Sequence, residues 1–518
     1  MKDRRSLNIL ALNYHEATKD ARVFKQAKAL AAEGHKVGVM CRLLPGDTPV
    51  ETVDDIAIHR FECFSHSAAR PDDLASMSFL ERSYDLIQDR YAAYANAAMA
   101  RRRVEWTREW LSELKLHHVF DQQGVGLLES NEKSVYKSPA RYIVRDTIRA
   151  MRRRIGGLPA AANATLFPVF LKGLLRTLKL RDRELAKTLS ERFRELYQGR
   201  SIVFAVNLMR QRLPFVPDIV HAHDFFTLPA AILVAQRTGA RIIYDAHEYE
   251  PGRATMMPPE GNEIIDIMER ECLPHVSRMT TVSRSIADLY AERFSGPYPT
   301  LIMNTPDLRL AAPADPEATP GRLHELAGLP PETRIIVFTG GTQRENRGLD
   351  RFCDALALLP DFHFVALGPR NEKDDQWLRG HAERAGVLDR MTLLPSVEAH
   401  EVVDTIADAE VAICVIQDAG ISYRYAMPNK LFEAAFAGLP IVVSDLPEMR
   451  RFVEEFGIGE PTDQTNPSAI AETISNLCAE RSSFILNDER LSSMVSHYSW
   501  EFQERKLVQL VQSILPTK

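Results

Sequence analysis

The sequence lacks the features of several common protein classes. Its 518 residues include only six cysteines, which are scattered with no close pair, so neither a disulfide framework nor a zinc cluster is predicted. No apolar run reaches the roughly 18 residues that a membrane-spanning helix needs. The net charge is only -6, which gives the whole chain no attraction for nucleic acid. These absences favour a globular protein of the reducing cytoplasm.

Two nucleotide-binding fingerprints are also missing. Neither half of the chain has a G-x-G-x-x-G motif after its first strand, and no G-x-x-x-x-G-K-[ST] loop is present. Dinucleotide redox chemistry and P-loop hydrolysis are therefore disfavoured. The first apolar segment is short and is interrupted by Asn8 and Asn13, which indicates a strand rather than a signal peptide.

What is present is a repeated alternation of strands and helices. The segments LNILALN, DARVFKQAKALAAEG and HKVGVMC predict a strand, a helix and a parallel strand. The same pattern resumes at Pro217 and again at Thr333, so two doubly wound α/β sheets are predicted. The Pro- and Ala-rich residues 310–333 between them are typical of a connector. In such folds ligands bind beyond the carboxyl ends of the strands, and we expect the site in the crevice between two domains.

The stretch ISYRYAMPNKLFEAAFAGLPIVVSD contains the most informative pattern. It predicts a short helix with Pro428 at its first position, a stop at Gly438, and then a buried strand. Free N–H groups at a helix start bind anions, Lys430 adds a positive charge, and Glu433 lies one turn further on the same face. Two interpretations remain open: a surface ion pair, or a bound phosphate beside a carboxylate that accepts hydrogen bonds from a sugar diol.

Several segments together resemble a known family. PDIVHAHD, IIYDAHE, TTVSRSIADLY, FTGGTQRENRGLDRF and PNKLFEAAFAGLPIVVSD, in this order, are similar to the retaining glycosyltransferases of family 4, which have the GT-B fold. The resemblance implies two Rossmann-like doubly wound domains that face each other across a cleft. Residues 1–312 are then an acceptor domain with a helical insertion at about 65–216, residues 313–497 a nucleotide-sugar domain, and residues 498–518 a helix that crosses back to the first domain.

The resemblance also implies a reaction. A sugar moves from a nucleoside diphosphate sugar to a glycan or lipid-linked acceptor with retention of configuration, and neither a metal nor another cofactor is expected. Polysaccharide or cell-envelope assembly is the expected setting. His247 matches the family's histidine near the reacting sugar and is the predicted catalytic residue. The acceptor is expected near Lys19, Arg22 and His223, although Asp20 and Arg22 alternatively only cap and pair on their helix. His221, His223 and Asp224 carry metal-ligating atoms, but no further ligand spacing accompanies them.

The predicted donor site lies in the second half. Arg347 matches the family's basic residue on the diphosphate, and Glu433 matches the glutamate on the nucleotide ribose. Gly341 occupies the position of a second basic residue, for which Arg344 is the predicted replacement. Tyr425 stands where the family has a glutamate on the donor sugar, so a phenol replaces a carboxylate. The full predicted donor set is Arg344, Arg347, Tyr425, Asn429, Lys430 and Glu433.

Two other functions stay open because of these departures. A sugar-nucleotide epimerase of GT-B fold would use the same donor cleft without an acceptor. A degenerate transferase, motivated by Tyr425 and Gly341, would be a non-catalytic binding subunit.

The insertion is strongly basic. Residues 141–200 contain 15 Lys and Arg against 5 Asp and Glu. Basic and apolar side chains on one helical segment, as in residues 166–180, are typical of contact with an anionic lipid surface. A peripheral position at the inner face of the membrane is therefore expected, and the alternative is a solvated basic face on helices that pack on the first domain. Nucleic acid is not an expected partner, because no recognised binding module accompanies the charge.

Overall fold

The structure is a computed structural model that describes most of the chain outside the insertion. The described residues are 6–15, 17–18, 20–44, 46–63, 199–208, 211–253, 265–266, 269–270, 272–309, 321–344 and 346–514. The predicted acceptor residue Lys19, nearly all of the basic insertion and residues 310–320 of the connector lie outside them. The predicted domain boundary at residue 312 therefore stays a prediction.

Eight strands of the described chain form the first sheet. They are β1 Asn8–Asn13, β2 Lys36–Arg42, β3 Val50–Val53, β4 Ile56–Phe61, β5 Ile219–His223, β6 Arg241–Ala246, β7 Arg278–Thr281 and β8 Thr300–Leu301. The alternating pattern of the first half predicts all of them except β3 and β4. Their order in the sheet is β3-β4-β2-β1-β5-β6-β7-β8. β1 pairs in parallel with both β2 and β5, which confirms the predicted crossover topology.

Four described helices accompany these strands. They are α1 Ala21–Ala32, α2 Gly199–Leu208, α3 Leu228–Thr238 and α4 Arg284–Arg293. The carboxylate of Asp20 accepts a hydrogen bond from the backbone N–H of Val23 at 3.3 Å and so caps α1. The capping role of Asp20 is thereby confirmed.

The hairpin of β3 and β4 was not predicted. Val53 pairs with Ile56 in antiparallel register, and the two-residue loop between them has positive φ at both Asp54 and Asp55, 48° and 63°. Two positive φ angles are what a tight type I′ hairpin requires. The strongest sequence signal for this turn has glycine at the second position, and Asp-Asp does not carry it.

The second sheet has six strands, and all its pairs are parallel. They are β9 Arg334–Thr339, β10 Phe362–Leu367, β11 Met391–Leu394, β12 Val411–Cys414, β13 Ile441–Ser444 and β14 Gly459–Thr462. Their order is β11-β10-β9-β12-β13-β14. Apolar residues of β9, β12 and β13 are buried on both faces of the sheet, as near-continuous apolar runs predict.

Eleven helices of the described chain follow α4. They are α5 Arg322–Ala327, α6 Leu349–Ala357, α7 Glu372–Arg384, α8 Val402–Ile406, α9 Ile421–Arg424, α10 Asn429–Phe436, α11 Pro447–Phe456, α12 Pro467–Ala479, α13 Arg481–Phe484, α14 Asp488–Tyr498 and α15 Trp500–Gln512. Among the described helices, none is both long enough and apolar enough to cross a bilayer.

The chain forms two compact units. The first unit is Met1–Asp245 with Met257–Ser277, and the second unit is Ala246–Met256 with Arg278–Lys518. β7, β8 and α4 therefore belong to the second unit, together with the six-stranded sheet. Within that unit α15 is anchored at its start, because the N–H of Trp500 donates to the carbonyl of Pro306 at 3.2 Å and the Trp500 side chain is buried.

Candidate functional site

The short helix α10 carries most of the predicted donor residues. It ends at Phe436, Gly438 follows with φ 70°, and β13 begins at Ile441, which confirms the predicted helix, glycine stop and buried strand. The predicted start is wrong by one residue. Pro428 has ψ 145°, an extended value that cannot begin a helical turn, so the exposed Asn429 takes the first helical position.

Lys430 is buried, with 9% of its surface exposed. Its Nζ lies 4.1 Å from the centroid of the Phe338 ring on β9, at cation–π distance. Gly340 follows that strand with φ 105°, and a Cβ on it would lie 3.4 Å from Nζ of Lys430. Burial lowers the pKa of Lys430 to about 8, and the charge of Arg347 contributes to the lowering. The surface ion-pair interpretation is therefore wrong for Lys430, because its amine is enclosed by the protein.

Glu433 lies one turn further along α10 and is half-buried. Its carboxylate accepts a hydrogen bond from the hydroxyl of Thr339, the last residue of β9. The negative charge of Glu433 acts against the lowering of the pKa of Lys430. An amine, a carboxylate and a hydroxyl thus meet beyond the carboxyl end of β9, where ligands bind in doubly wound folds.

The loop between β9 and α6 carries the two predicted diphosphate-binding arginines. Arg347 is half-buried, and its Nε donates to Oε1 of Gln343 at 3.3 Å. The positive charge of Arg347 contributes to the lowered pKa of Lys430. Arg344 is exposed, and its guanidinium lies 3.5 Å from Asp374 at the start of α7. The structure therefore places Arg347 within electrostatic reach of Lys430 and Arg344 beside α7.

Gly348 closes this loop in a conformation that excludes a side chain. Its φ is 71°, and a Cβ on it would lie 2.1 Å from the carbonyl oxygen of Val415. The close approach fixes the end of the loop against the segment after β12, and α6 begins at the next residue.

Tyr425 stands directly after α9 and four residues before α10. It is half-buried, and its backbone N–H donates to the carbonyl of Ile421 at 3.1 Å. The hydroxyl of Tyr425 is able to donate a hydrogen bond, which an ionised carboxylate cannot do.

A separate polar cluster lies inside the first unit, around the carboxylate of Asp245 on β6. Arg22 donates to it twice, from Nε at 2.8 Å and from Nη2 at 2.5 Å, and Nε2 of Gln26 donates at 2.8 Å. Nδ1 of His223 lies 3.2 Å from the same carboxylate. All four side chains are buried. Bidentate hydrogen bonds between charged groups are individually strong, and the loss of one partner would leave the other charge buried without compensation.

The pairing of Arg22 in this cluster differs from the pairing with Asp20 that the sequence analysis considered. The guanidinium pairs with Asp245, 223 positions away in the sequence, whereas the Asp20 considered from the sequence caps α1. Nη1 of Arg22 has no hydrogen-bond partner among the described residues, so one donor stays available. Acceptor binding by Arg22 and His223 stays a prediction.

The same cluster includes three groups with metal-ligating atoms. The atoms of His221, His223 and Asp245 lie within 4.8 Å of one another, and all three residues are buried. However, the guanidinium of Arg22 already holds both oxygens of Asp245, and its positive charge would repel a divalent cation at that distance. The residues therefore fit an internal hydrogen-bond network better than a metal site. Asp224, the third candidate from the sequence, accepts a hydrogen bond from the N–H of Phe225 at 2.9 Å.

His247 follows β6 by one residue and is half-buried. It lies in the loop of residues 246–253, which belongs to the second unit. The predicted catalytic histidine and the predicted donor residues of α10 are therefore parts of one compact unit.

Two protein families match the chain. The Glycosyl transferase 4-like domain matches residues 192–304, and the Glycosyl transferases group 1 domain matches residues 333–480, which include β9, Lys430 and Glu433. The chain has the GT-B fold and contains the domains of two glycosyltransferase families. The predicted family and fold are thereby confirmed.

Solved structures resemble this chain over nearly its whole length. The sucrose-phosphate synthase of Thermosynechococcus elongatus is 14% identical, with a TM-score of 0.59 over 98% of this chain and 99% of that chain. A glycosyltransferase of Rickettsia africae is 11% identical, with a TM-score of 0.56 over 99% of this chain and 100% of that chain. At these identities the likeness shows the fold.

A curated relative is similar over a shorter range. The phosphatidyl-myo-inositol mannosyltransferase of Mycobacterium leprae is 24% identical over 194 residues, which are 37% of this chain and 49% of the relative. The chain thus spans about half the length of that relative.

Sequence reasoning missed Thr339, which contacts Glu433 of the predicted donor site, and Gln26, which contacts Asp245 in the separate cluster. Gln26 lies four positions after Arg22 and therefore on the same face of α1. This spacing could have predicted that the two side chains share a partner. Thr339 is the last residue of the apolar strand β9 and is followed by two glycines. A polar side chain at the carboxyl end of such a strand lies where ligands bind in doubly wound folds.

Proposed function

We propose that this protein is a retaining glycosyltransferase that moves a sugar from a nucleoside diphosphate sugar to a glycan or lipid-linked acceptor. The observation that carries the proposal is the buried amine of Lys430 beside Glu433 at the carboxyl end of β9. Burial of a lysine is costly unless its charge is used. A diphosphate is a suitable counter-ion, and the half-buried Glu433 then accepts hydrogen bonds from a ribose diol.

The proposed reaction assigns chemistry to each part of the site. Lys430 and Arg347 stabilise the negative charge that develops on the leaving diphosphate, so that no metal is needed for this step. His247 hydrogen-bonds the donor sugar and orients its anomeric carbon. The acceptor is proposed to lie near Arg22 and His223, and the setting is proposed to be polysaccharide or cell-envelope assembly at the inner face of the membrane.

Replacement of Lys430 or Glu433 by alanine is expected to weaken donor binding. A hydrogen bond to a charged group contributes about 1.5–3 kcal/mol, which is roughly 10- to 150-fold in the dissociation constant. Calorimetric titration with UDP, GDP and ADP and their common sugar conjugates measures this effect. Lys506→Ala is the matched control, because Lys506 is another lysine whose pKa burial lowers to about 8.

The outcomes separate the candidate functions. Unchanged donor affinity in both variants would contradict the placement of the donor site. Binding of none of the nucleotides by the unmodified protein would favour a non-catalytic binding subunit, the reading that Tyr425 and Gly341 motivate. Conversion of a bound nucleotide sugar into its epimer without an acceptor would favour an epimerase.

Donor affinity is expected to fall between pH 7 and pH 9. The pKa of Lys430 is about 8, so its amine is mostly protonated at pH 7 and mostly neutral at pH 9. If only the protonated form binds the diphosphate, affinity falls by about tenfold over this interval, and binding at pH 9 takes up a proton. Calorimetry at pH 7, 8 and 9 in two buffers of different ionisation enthalpy measures both effects. The pH dependence should vanish in Lys430→Met and persist in Lys506→Met, and its persistence in both would assign it to another group.

The basic residues 141–200 are expected to bind anionic vesicles in a salt-sensitive way. Arg152, Arg153 and Arg154 are adjacent in this range, and replacing all three by alanine should weaken vesicle binding by about 3 kcal/mol, at about 1 kcal/mol per basic residue. Cosedimentation of the full chain with phosphatidylserine-containing vesicles measures the effect. The control removes three exposed charges of α7, at Lys373, Arg379 and Arg384. Equal binding to neutral and anionic vesicles would refute the membrane contact.

A further inference from the structure

The loop that carries His247 is held by side chains that bind its backbone carbonyl groups. The hydroxyl of Thr281 on β7 donates to the carbonyl of Ala246 at 3.0 Å. The hydroxyl of Tyr290 on α4 donates to the carbonyl of Glu248 at 3.4 Å. The hydroxyl of Ser422 on α9 donates to the carbonyl of Tyr249 at 2.5 Å. Carbonyl groups on both sides of His247 are thus fixed.

Packing reinforces these hydrogen bonds at the end of the loop. The Tyr249 side chain is fully buried, and its ring meets that of Tyr290 edge-on at a centroid distance of 5.3 Å. Gly252 approaches α9 closely, because a Cβ on it would lie 2.7 Å from Cβ of Ile421 and 2.7 Å from Cδ1 of Tyr249. The glycine at this position is what lets the loop lie against α9.

The boundary between the two compact units falls between Asp245 and Ala246, within the last two residues of β6. Arg22 and Gln26 hold Asp245 in the first unit, whereas Thr281 holds Ala246 in the second. His247 follows a strand of the first sheet in sequence, yet its loop is attached to the second unit.

We propose that Ser422 is a positioning residue, which attaches the loop of His247 to α9 and thereby sets the place of His247 relative to the donor sugar. α9 leads directly into Tyr425 and α10, so one short segment holds both the proposed donor-binding side chains and the loop of the proposed catalytic residue. This inference rests on the proposed function. It adds α9 to β7 and α4 as an element that places His247. It also makes the hydroxyl of Ser422 and the small size of Gly252 necessary for full turnover.

The test compares Ser422→Ala and Gly252→Ala in the full-length protein with two matched controls. Ser475→Ala removes the hydroxyl of an exposed serine, which likewise donates to a backbone carbonyl, that of Ala471 within α12. Gly380→Ala adds a Cβ whose nearest neighbour is the guanidinium end of Arg384 at 3.6 Å. Ser422→Thr keeps the hydroxyl and is the rescue variant.

Three measurements are made on each variant. Hydrogen exchange of the amides of residues 246–253, followed by mass spectrometry, reports attachment of the loop without any reaction. Calorimetry reports the affinity for the nucleoside diphosphate that the unmodified protein binds. Release of that nucleoside diphosphate from its sugar conjugate, with water as the acceptor, reports kcat and KM.

Ser422→Ala and Gly252→Ala are expected to exchange faster in residues 246–253 and to lose roughly 10- to 100-fold in kcat, the range expected for a misplaced catalytic group. Nucleotide affinity and KM should stay within about twofold, since no nucleotide contact is removed. Ser422→Thr and both controls should behave like the unmodified protein.

Other outcomes would overturn the inference. One such outcome is that hydrogen exchange and kcat are unchanged in both Ser422→Ala and Gly252→Ala. A second is that kcat falls equally in the two controls. A third is that nucleotide affinity falls by as much as kcat. If the unmodified protein binds none of the nucleotides, the proposed function fails. Exchange of residues 246–253 then still decides whether Ser422 and Gly252 attach the loop.

Discussion

Replacement of His247 by alanine is expected to lower kcat by about 10²-fold or more and to leave the donor dissociation constant nearly unchanged. A group that interacts more strongly with the transition state than with the bound substrate affects turnover and not affinity, and removal of one such preorganised hydrogen-bonding group typically costs about 10²- to 10³-fold. The half-buried loop position of His247 and its place in the same unit as Lys430 and Glu433 are the structural reasons for this expectation.

The measurement is steady-state turnover together with calorimetric donor binding. His400→Ala is the control, because His400 is exposed and also belongs to the second unit. Unchanged turnover in His247→Ala would remove this residue from the mechanism. A loss of affinity equal to the loss of turnover would assign His247 to substrate binding alone.

Removal of Asp245 is expected to destabilise the first unit strongly. Asp245→Ala leaves the guanidinium of Arg22 buried without its bidentate partner, and the amide of Gln26 loses the same acceptor. Breaking a buried ion pair from one side typically costs about 3–5 kcal/mol. For a unit of this size that corresponds to a melting point lower by roughly 6–20 °C, which differential scanning calorimetry measures.

The exposed pair of Asp445 and Arg450 provides the matched control. Its atoms are as close, at 2.6 Å, but its side chains are 49% and 42% exposed, and loss of such a pair costs at most about 1 kcal/mol. Asp445→Ala should therefore barely change the melting point. If Asp245→Ala were as harmless as Asp445→Ala, the cluster around Asp245 would have no structural role, and Arg22 would have to be explained by ligand binding alone.

Much of the fold could be predicted from the sequence, because periodicity and turn residues are properties of neighbouring positions. Periodicity predicted β1, α1 and β2 to within two residues, and Gly438 ended α10 as predicted. The hairpin of β3 and β4 escaped prediction because its turn uses two aspartates at positive φ. The start of α10 was misplaced by one residue because a proline fits both the first helical position and the position before it.

The candidate site was predicted less completely. Arg22 was recognised as a candidate, but its partner Asp245 is distant in sequence, and no local pattern predicts such a pairing. Lys430 and Glu433 were predicted from their spacing, whereas the choice between a solvated ion pair and a ligand site required the burial of Lys430 and its distance from Phe338.

The sequence by itself determined the parallel pairing that dominates both sheets, the resemblance to glycosyltransferases and the segment on which the predicted donor residues lie, since hydrophobic periodicity, turn residues and ordered motifs are properties of neighbouring positions. Only the tertiary structure decided that the amine of Lys430 is buried, that Arg22 binds Asp245, and that the loop of His247 belongs to the second unit. Burial, long-range pairing and the attachment of a loop all depend on residues that folding brings together from distant positions.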